Sequence, residues 1–81
     1  MKYILVYTQR AVKDIKKLDI LVRKRIAKKI VCLRSNPRKI AKKLIHPKLG
    51  TYRYKIGEYR VIFDIDKNKV VILRVGHRRD I

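Results

Sequence analysis

At 81 residues the chain has room for one domain, 1–81, with a modest core, and its 47% hydrophobic content argues against disorder. The charge is far from ordinary. Set against 6 Asp and Glu, 24 Lys and Arg give a net +18, which points to a polyanionic partner over a merely solvated surface. The single cysteine, Cys32, excludes a disulfide framework and fits a reducing cytoplasm. Tyr3-Ile-Leu-Val-Tyr7 is too short for a signal sequence or a membrane span.

In chain order, Lys2 to Tyr7 is rich in β-formers and predicts a first strand. Thr8 is a suitable N-cap for a helix from about Gln9 to Leu18, with Ala11, Ile15 and Leu18 on one face. Asp19 can cap a second helix from about Ile20 to Arg34, whose buried stripe is Val22, Ile26, Ile30 and Leu33, with Ala27 and Val31 beside it. Cys32 falls in this apolar pattern and is expected in the core. Ser35-Asn36-Pro37 stops the helix. Ile40, Ala41, Leu44 and Ile45 fit a short helical turn, closed by Pro47 and Gly50 before a hairpin. Lys69 to Val75 then reads as a strand buried on both faces, and so central, reached through a turn at Asp66-Lys67-Asn68. Its register stays open, because a loop of two or three residues exchanges its faces. The order β-α-α-β-β-β defines an α+β domain. An αα-hairpin packs on one face of a four-stranded, mainly antiparallel sheet, leaving a basic, concave open face.

The hairpin from Thr51 to Asp64 carries the functional signal. Both flanks of Gly57-Glu58 alternate with period 2, and a two-residue link pairs Ile56 with Tyr59, Lys55 with Arg60, Tyr54 with Val61 and Arg53 with Ile62. Tyr52, Tyr54, Ile56, Tyr59, Val61 and Phe63 then face the helices, while Arg53, Lys55 and Arg60 share the open face. Like charges set opposite each other are destabilising, so a sequence that keeps them is expected to place an anion between them.

Several chemistries can be weighed against this face. A divalent-metal nuclease needs clustered carboxylates, and six scattered acids do not supply them. One Cys and two His do not fill a zinc site, so no metal or other cofactor is expected. Cys32 in the core and Ser35 at a helix end are poor nucleophiles. Metal-free RNA cleavage fits better, because the RNA brings its own nucleophile, the 2′-OH. The protein must then take up a proton, stabilise charge on phosphorus and assist the leaving oxygen. Lys55, between Arg53 and Arg60, is placed where cationic neighbours disfavour a charged ammonium, and is the candidate for the first task.

The leading Tyr-Ile-Leu-Val strand, the Lys-Lys-Leu-Asp helix junction, Ser-Asn-Pro and Leu44-Ile-His-Pro-Lys-Leu-Gly50 together resemble the RelE/ParE toxin superfamily. The resemblance is strongest in Tyr52-Arg-Tyr-Lys-Ile-Gly-Glu-Tyr-Arg-Val-Ile-Phe63 and Val75-Gly-His-Arg-Arg-Asp80, and it covers essentially the whole chain. It implies a single RelE-like toxin domain of a type II toxin–antitoxin system: a ribosome-dependent endoribonuclease that cuts mRNA in the A site, inhibits translation and is neutralised by an antitoxin. By position it implies RNA contact and proton transfer for Arg53 and Lys55. Arg60 would stabilise the scissile phosphate, and Arg78 would act on the leaving-group side. A guanidinium does not give up its proton in proteins, so charge stabilisation describes Arg78 better, unless His77 beside it supplies the proton. His77 reads equally well as a solvent-exposed strand end. Further RNA contacts are expected from Arg53, His77, Arg79, Lys42 and Lys43.

Two departures imply weakened or altered activity. RelE-type members have a tyrosine a few residues beyond the position of Arg78, about where this sequence stops at Ile81, and Arg53 stands where the best-studied branch has lysine. The alternatives are a ParE-like inhibitor of DNA gyrase with the same fold and a non-catalytic RNA- or ribosome-binding protein. The expected partners are an antitoxin segment, acidic or amphipathic, that wraps the cationic face, and mRNA with rRNA on the ribosome. No membrane or small-molecule cofactor is expected.

Overall fold

The structure, a computed structural model, describes residues 2–43 and 52–81. In chain order it contains β1 (Ile4–Tyr7), α1 (Gln9–Lys16), α2 (Ile20–Val31), a 3₁₀ turn (Cys32–Arg34), α3 (Pro37–Ile40), β2 (Lys42–Lys43), β3 (Tyr52–Ile56), β4 (Tyr59–Asp66) and β5 (Lys69–His77). The predicted β-α-α-β-β-β order is present. The four predicted strands form the sheet, and the two-residue β2 extends it at one edge, in the order β1-β5-β4-β3-β2. β5 lies inside the sheet as expected, parallel to β1 and antiparallel to β4, but it is not buried on both faces: Val70, Ile72 and Val75 are buried, while Val71 and Leu73 on the other side are only half-buried.

Both helix starts follow from their capping residues. Thr8 Oγ1 accepts from the Ala11 N–H at 3.2 Å, and the Asp19 carboxylate accepts from the Leu21 N–H at 3.2 Å, each satisfying a donor that the first turn leaves unpaired. The core joins Ala11 of α1 and Ile26, Ile30 and Leu33 of the second helical segment to Ile56, Val61, Phe63, Val70, Ile72 and Val75 of the sheet. Tyr52, Tyr54 and Tyr59 pack against it from the helix side, as the alternation predicts. Tyr52 also stacks on Phe63 with ring centroids 5.3 Å apart.

Three further expectations are corrected. Cys32 is exposed, not in the core. The buried stripe runs Ile26, Ile30, Leu33, and at about 100° per residue Cys32 lies roughly opposite Ile30. Val31 and Ala27 are exposed for the same reason. The short helical turn comes earlier than expected, at Pro37–Ile40, because Pro37 occupies the first helical position, where its missing N–H costs nothing. Ala41 then turns extended and leads into β2. Leu44, Ile45, Pro47 and Gly50, named in the same expectation, lie outside the described residues.

The open register of β5 is resolved by a bulge. Ile62 pairs with Arg74 but Phe63 pairs with Ile72, so Leu73 is the extra residue. The shift brings both Ile72 and Val75, three residues apart, into the core. α1 holds the bulge in place. Thr8 Oγ1 donates to the carbonyls of Ile72 and Leu73 at 3.0 and 3.3 Å, and Asp14 accepts from the Val75 N–H at 3.0 Å and from Arg74 Nε at 2.8 Å. β1 stops pairing at Ile72, and beyond that point α1 side chains take over the β5 edge.

Candidate active site

The hairpin has the register its sequence predicts: Arg53↔Ile62, Tyr54↔Val61, Lys55↔Arg60 and Ile56↔Tyr59. Its link is Gly57-Glu58, with Gly57 at φ 59°, a left-handed conformation that a hairpin link of this length requires and that glycine adopts without strain. A Cβ at Gly57 would also lie 2.8 Å from Arg25 Nη2, so α2 brings a further cation to the turn that sequence reasoning missed. Lys55 is exposed and directly opposite Arg60. Arg53 is two residues away on the same face, and Lys42 of β2 pairs with Arg53 and so shares it. Ile62, opposite Arg53 and Arg74, is only 2% exposed although it faces away from the helices, and arginine stems are suited to covering such apolar surface.

The Arg60 guanidinium is fixed by its own hairpin. Its Nη1 donates to the carbonyls of Gly57 at 3.0 Å and Tyr59 at 2.9 Å. Arg53 Nε is buried and has no hydrogen-bond partner. β5 completes the arrangement. Gly76 lies opposite Arg60, and a Cβ on it would stand 3.0 Å from Ile81 Cδ1, so glycine lets the tail fold back over this strand. Arg78 is tied to the hairpin link twice: its N–H donates to the Glu58 carbonyl at 2.8 Å, and its Nε meets the Glu58 carboxylate at 2.8 Å. Lys55, Arg60 and Arg78 therefore converge on the Gly57-Glu58 link, with Arg53 and Lys42 further along the face. Glu58 was not singled out from the sequence, and only its place between two basic strands hinted at a role.

Other predicted residues lie elsewhere. His77 pairs with Tyr59 and belongs to the helix side, its ring edge-on to Tyr59 at 5.4 Å and 79°. It does not share the face of Arg60. Arg79 is exposed, and its N–H donates to His77 Nδ1 at 3.2 Å. Lys43 pairs with Tyr52 through the backbone.

On the helix side of this end lies a cavity of about 350 Å³, with Asp14, Lys17, Tyr59, Arg74, His77 and Asp80 among its walls. Asp14 is 12% exposed and Arg74 20%. Burial works to raise the Asp14 pKa, but the Arg74 guanidinium, the Val75 N–H and the charge of Arg10 outweigh it, and the net effect is a lowered pKa. Among the described residues no group of three or more His, Cys, Asp or Glu is disposed to hold a metal ion, and no helix is long and apolar enough to cross a membrane.

A mainly antiparallel sheet backed by a helical pair is the α+β fold expected of the RelE/ParE toxins, and comparison with known proteins bears out that fold. Residues 5–81 match the family model described as ParE toxin of type II toxin-antitoxin system, and the chain belongs to that family. Among solved structures it is similar to the toxin–antitoxin complex RelBE2 from Mycobacterium tuberculosis, with 31% identity over 96% of this chain and 100% of that one and a TM-score of 0.87. It is also similar to a mutant of the E. coli toxin RelE in the free state (30% identity, 99% and 87% covered, TM-score 0.82). An archaeal RelE–RelB complex from Pyrococcus horikoshii shows 25% identity, with 96% and 97% covered and a TM-score of 0.76. No curated protein matches the chain. The protein is thus a type II toxin of the RelE/ParE superfamily.

Proposed function

We propose that this toxin is a metal-independent endoribonuclease that cuts mRNA in the ribosomal A site, acting in the cytoplasm. The observation that carries this reading is the convergence of Lys55, Arg60 and Arg78 on one turn, with Arg53 in line on the same face. In the reaction the 2′-oxygen attacks the adjacent phosphorus, a P–O2′ bond forms and the P–O5′ bond breaks. Lys55 takes the 2′-OH proton. Arg60, already oriented by two carbonyls, stabilises the charge that grows on the non-bridging oxygens, and preorganised donors of this kind supply much of the rate. Arg78 stabilises the departing 5′-oxygen electrostatically, and water returns the proton. The position of His77 on the other face leaves that role to solvent.

Two of the solved relatives are toxin–antitoxin complexes, RelBE2 and the archaeal RelE–RelB, and a chain of net +18 would bind RNA indiscriminately if left uncovered. A labile antitoxin with an acidic segment over the hairpin face is therefore the expected partner. One observation favours a second reading: the matched family model is that of ParE, which agrees with gyrase inhibition on the same fold. Primer extension on translating ribosomes separates the two. Codon-positioned cuts that disappear in Arg60→Ala support the ribonuclease. Intact mRNA together with toxin-dependent linear DNA in a gyrase supercoiling assay would replace it with the ParE reading.

A further inference from the structure

Two adjacent residues hold both arginines at the hairpin end. The Gly57 carbonyl accepts from Arg60 Nη1 at 3.0 Å, while Glu58 meets Arg78 with both its carbonyl and its carboxylate, each at 2.8 Å. Glu58 and Arg78 stand one step beyond the Tyr59↔His77 pair and two beyond Arg60↔Gly76, so alternation sets them on the Arg60 face. Glu58 is thus a carboxylate inside the cationic cluster to which the chemistry above assigns the RNA phosphate.

Attraction for that phosphate does not account for it, because a fixed negative charge there opposes the substrate's own. Stability does not account for it either. The two side chains are 58% and 60% exposed, and an ion pair so open to water contributes little. Orientation is the remaining use. Arg78 lies just past the end of β5, with its backbone held by the Glu58 carbonyl, and the turn around it is closed by the Asp80 N–H on the His77 carbonyl at 2.8 Å. Its long side chain, by contrast, has many rotamers open to it at that exposure. A carboxylate on Nε selects among them and fixes the guanidinium plane. The edge between the two terminal nitrogens is still presented to the oxygens of a substrate.

We propose that Glu58 is a positioning residue that aims Arg78 at the departing 5′-oxygen and acts on the reaction only through it. The proposal rests on the ribonuclease reading above and deepens it. The Gly57-Glu58 link then orients Arg60 through a carbonyl and Arg78 through a carboxylate, both before RNA arrives.

Single-turnover cleavage on programmed ribosomes compares wild type, Glu58→Ala, Glu58→Gln, Arg78→Ala and the variant with both alanines. In parallel, the Arg78 Nε–H resonance, identified by its loss in Arg78→Ala, reports the motion of that side chain in the free protein by NMR relaxation. Glu58→Ala is expected to lower the maximal rate about ten-fold without raising the half-saturating concentration, and Glu58→Gln to recover part of the loss. In the Arg78→Ala background, removing Glu58 should change the rate by less than about two-fold. The Nε–H should be rigid in wild type and mobile in Glu58→Ala. An undiminished rate in Glu58→Ala, or the same loss with Arg78 already absent, overturns the role of Glu58 and leaves the ribonuclease standing. A mobile Arg78 Nε–H in wild type overturns the positioning whatever the reaction. Absence of cleavage by wild type overturns the ribonuclease reading and this proposal with it.

Discussion

Arg60 shows how the site is prepared before any substrate arrives. One of its terminal nitrogens is held by the Gly57 and Tyr59 carbonyls, so the planar fork is aimed rather than solvated. Lysine has the charge without the fork, and on the proposed chemistry Arg60→Lys is expected to lower the cleavage rate about 100-fold or more, checked by single-turnover kinetics on programmed ribosomes. Asp14 is the corresponding residue for stability. Asp14→Ala strands the Val75 N–H and the Arg74 guanidinium and is expected to cost about 1–3 kcal/mol in urea unfolding. Because the folded-state pKa of Asp14 is lowered, its contribution is present above the unfolded carboxylate value of about 3.9 and is lost as pH falls through the folded value. Stability measured between pH 5 and 2 should thus fall less steeply in Asp14→Asn than in wild type. Cys32 gives a simpler check: as an exposed thiol it should react fully with a thiol reagent in native buffer. The apolar band around Cys32 is broad in sequence, but only the residues on the line of Ile26, Ile30 and Leu33 are fully buried.

The elements differ in how far local chemistry determines them. The β3–β4 hairpin was legible to the residue, since a two-residue link and strict alternation leave one register that buries Val61 and Phe63. With it came the cationic face. Gly57→Ala is expected to cost about 1–2 kcal/mol, because alanine is strained at φ 59° and its methyl meets the Arg25 guanidinium. Thermal denaturation should register that as a fall of several degrees in Tm. β5 was legible as a central strand but not in its register. The Leu73 bulge is stabilised by Thr8 and Asp14, more than sixty residues earlier in sequence, and no local pattern announces such a contact. The joining of Arg78 to Glu58 was hidden for the same reason, being a meeting of tail and turn that only the folded sheet creates. Arg78 could be nominated only from the motif around it.

At the scale of the whole molecule, the charge is what a partner meets first. Five cations on the hairpin side, Lys42, Arg53, Lys55, Arg60 and Arg78, would release counterions from a single strand with a salt slope of roughly −3.5, at about 0.7 per phosphate contact. Titration of a single-stranded RNA oligonucleotide at several salt concentrations measures it directly. The composition had already pointed to a polyanion, and the fold adds a direction to that field. The helices fill one face of the sheet with core, so the arginines and lysine of the hairpin gather on the other.

The parallel pairing of β1 with β5 has a consequence for how the protein is made. Ile4 finds its partner in Lys69, so the strand that leaves the ribosome early waits for one translated more than sixty residues later. Until then the nascent chain can form its helices and its hairpin, but β1 has no neighbour and neither Gly76 nor Arg78 has been added. Non-local pairing of this kind comes late in folding. The cationic hairpin can exist during synthesis, while the assembled site waits for β5 and the segment that carries Arg78.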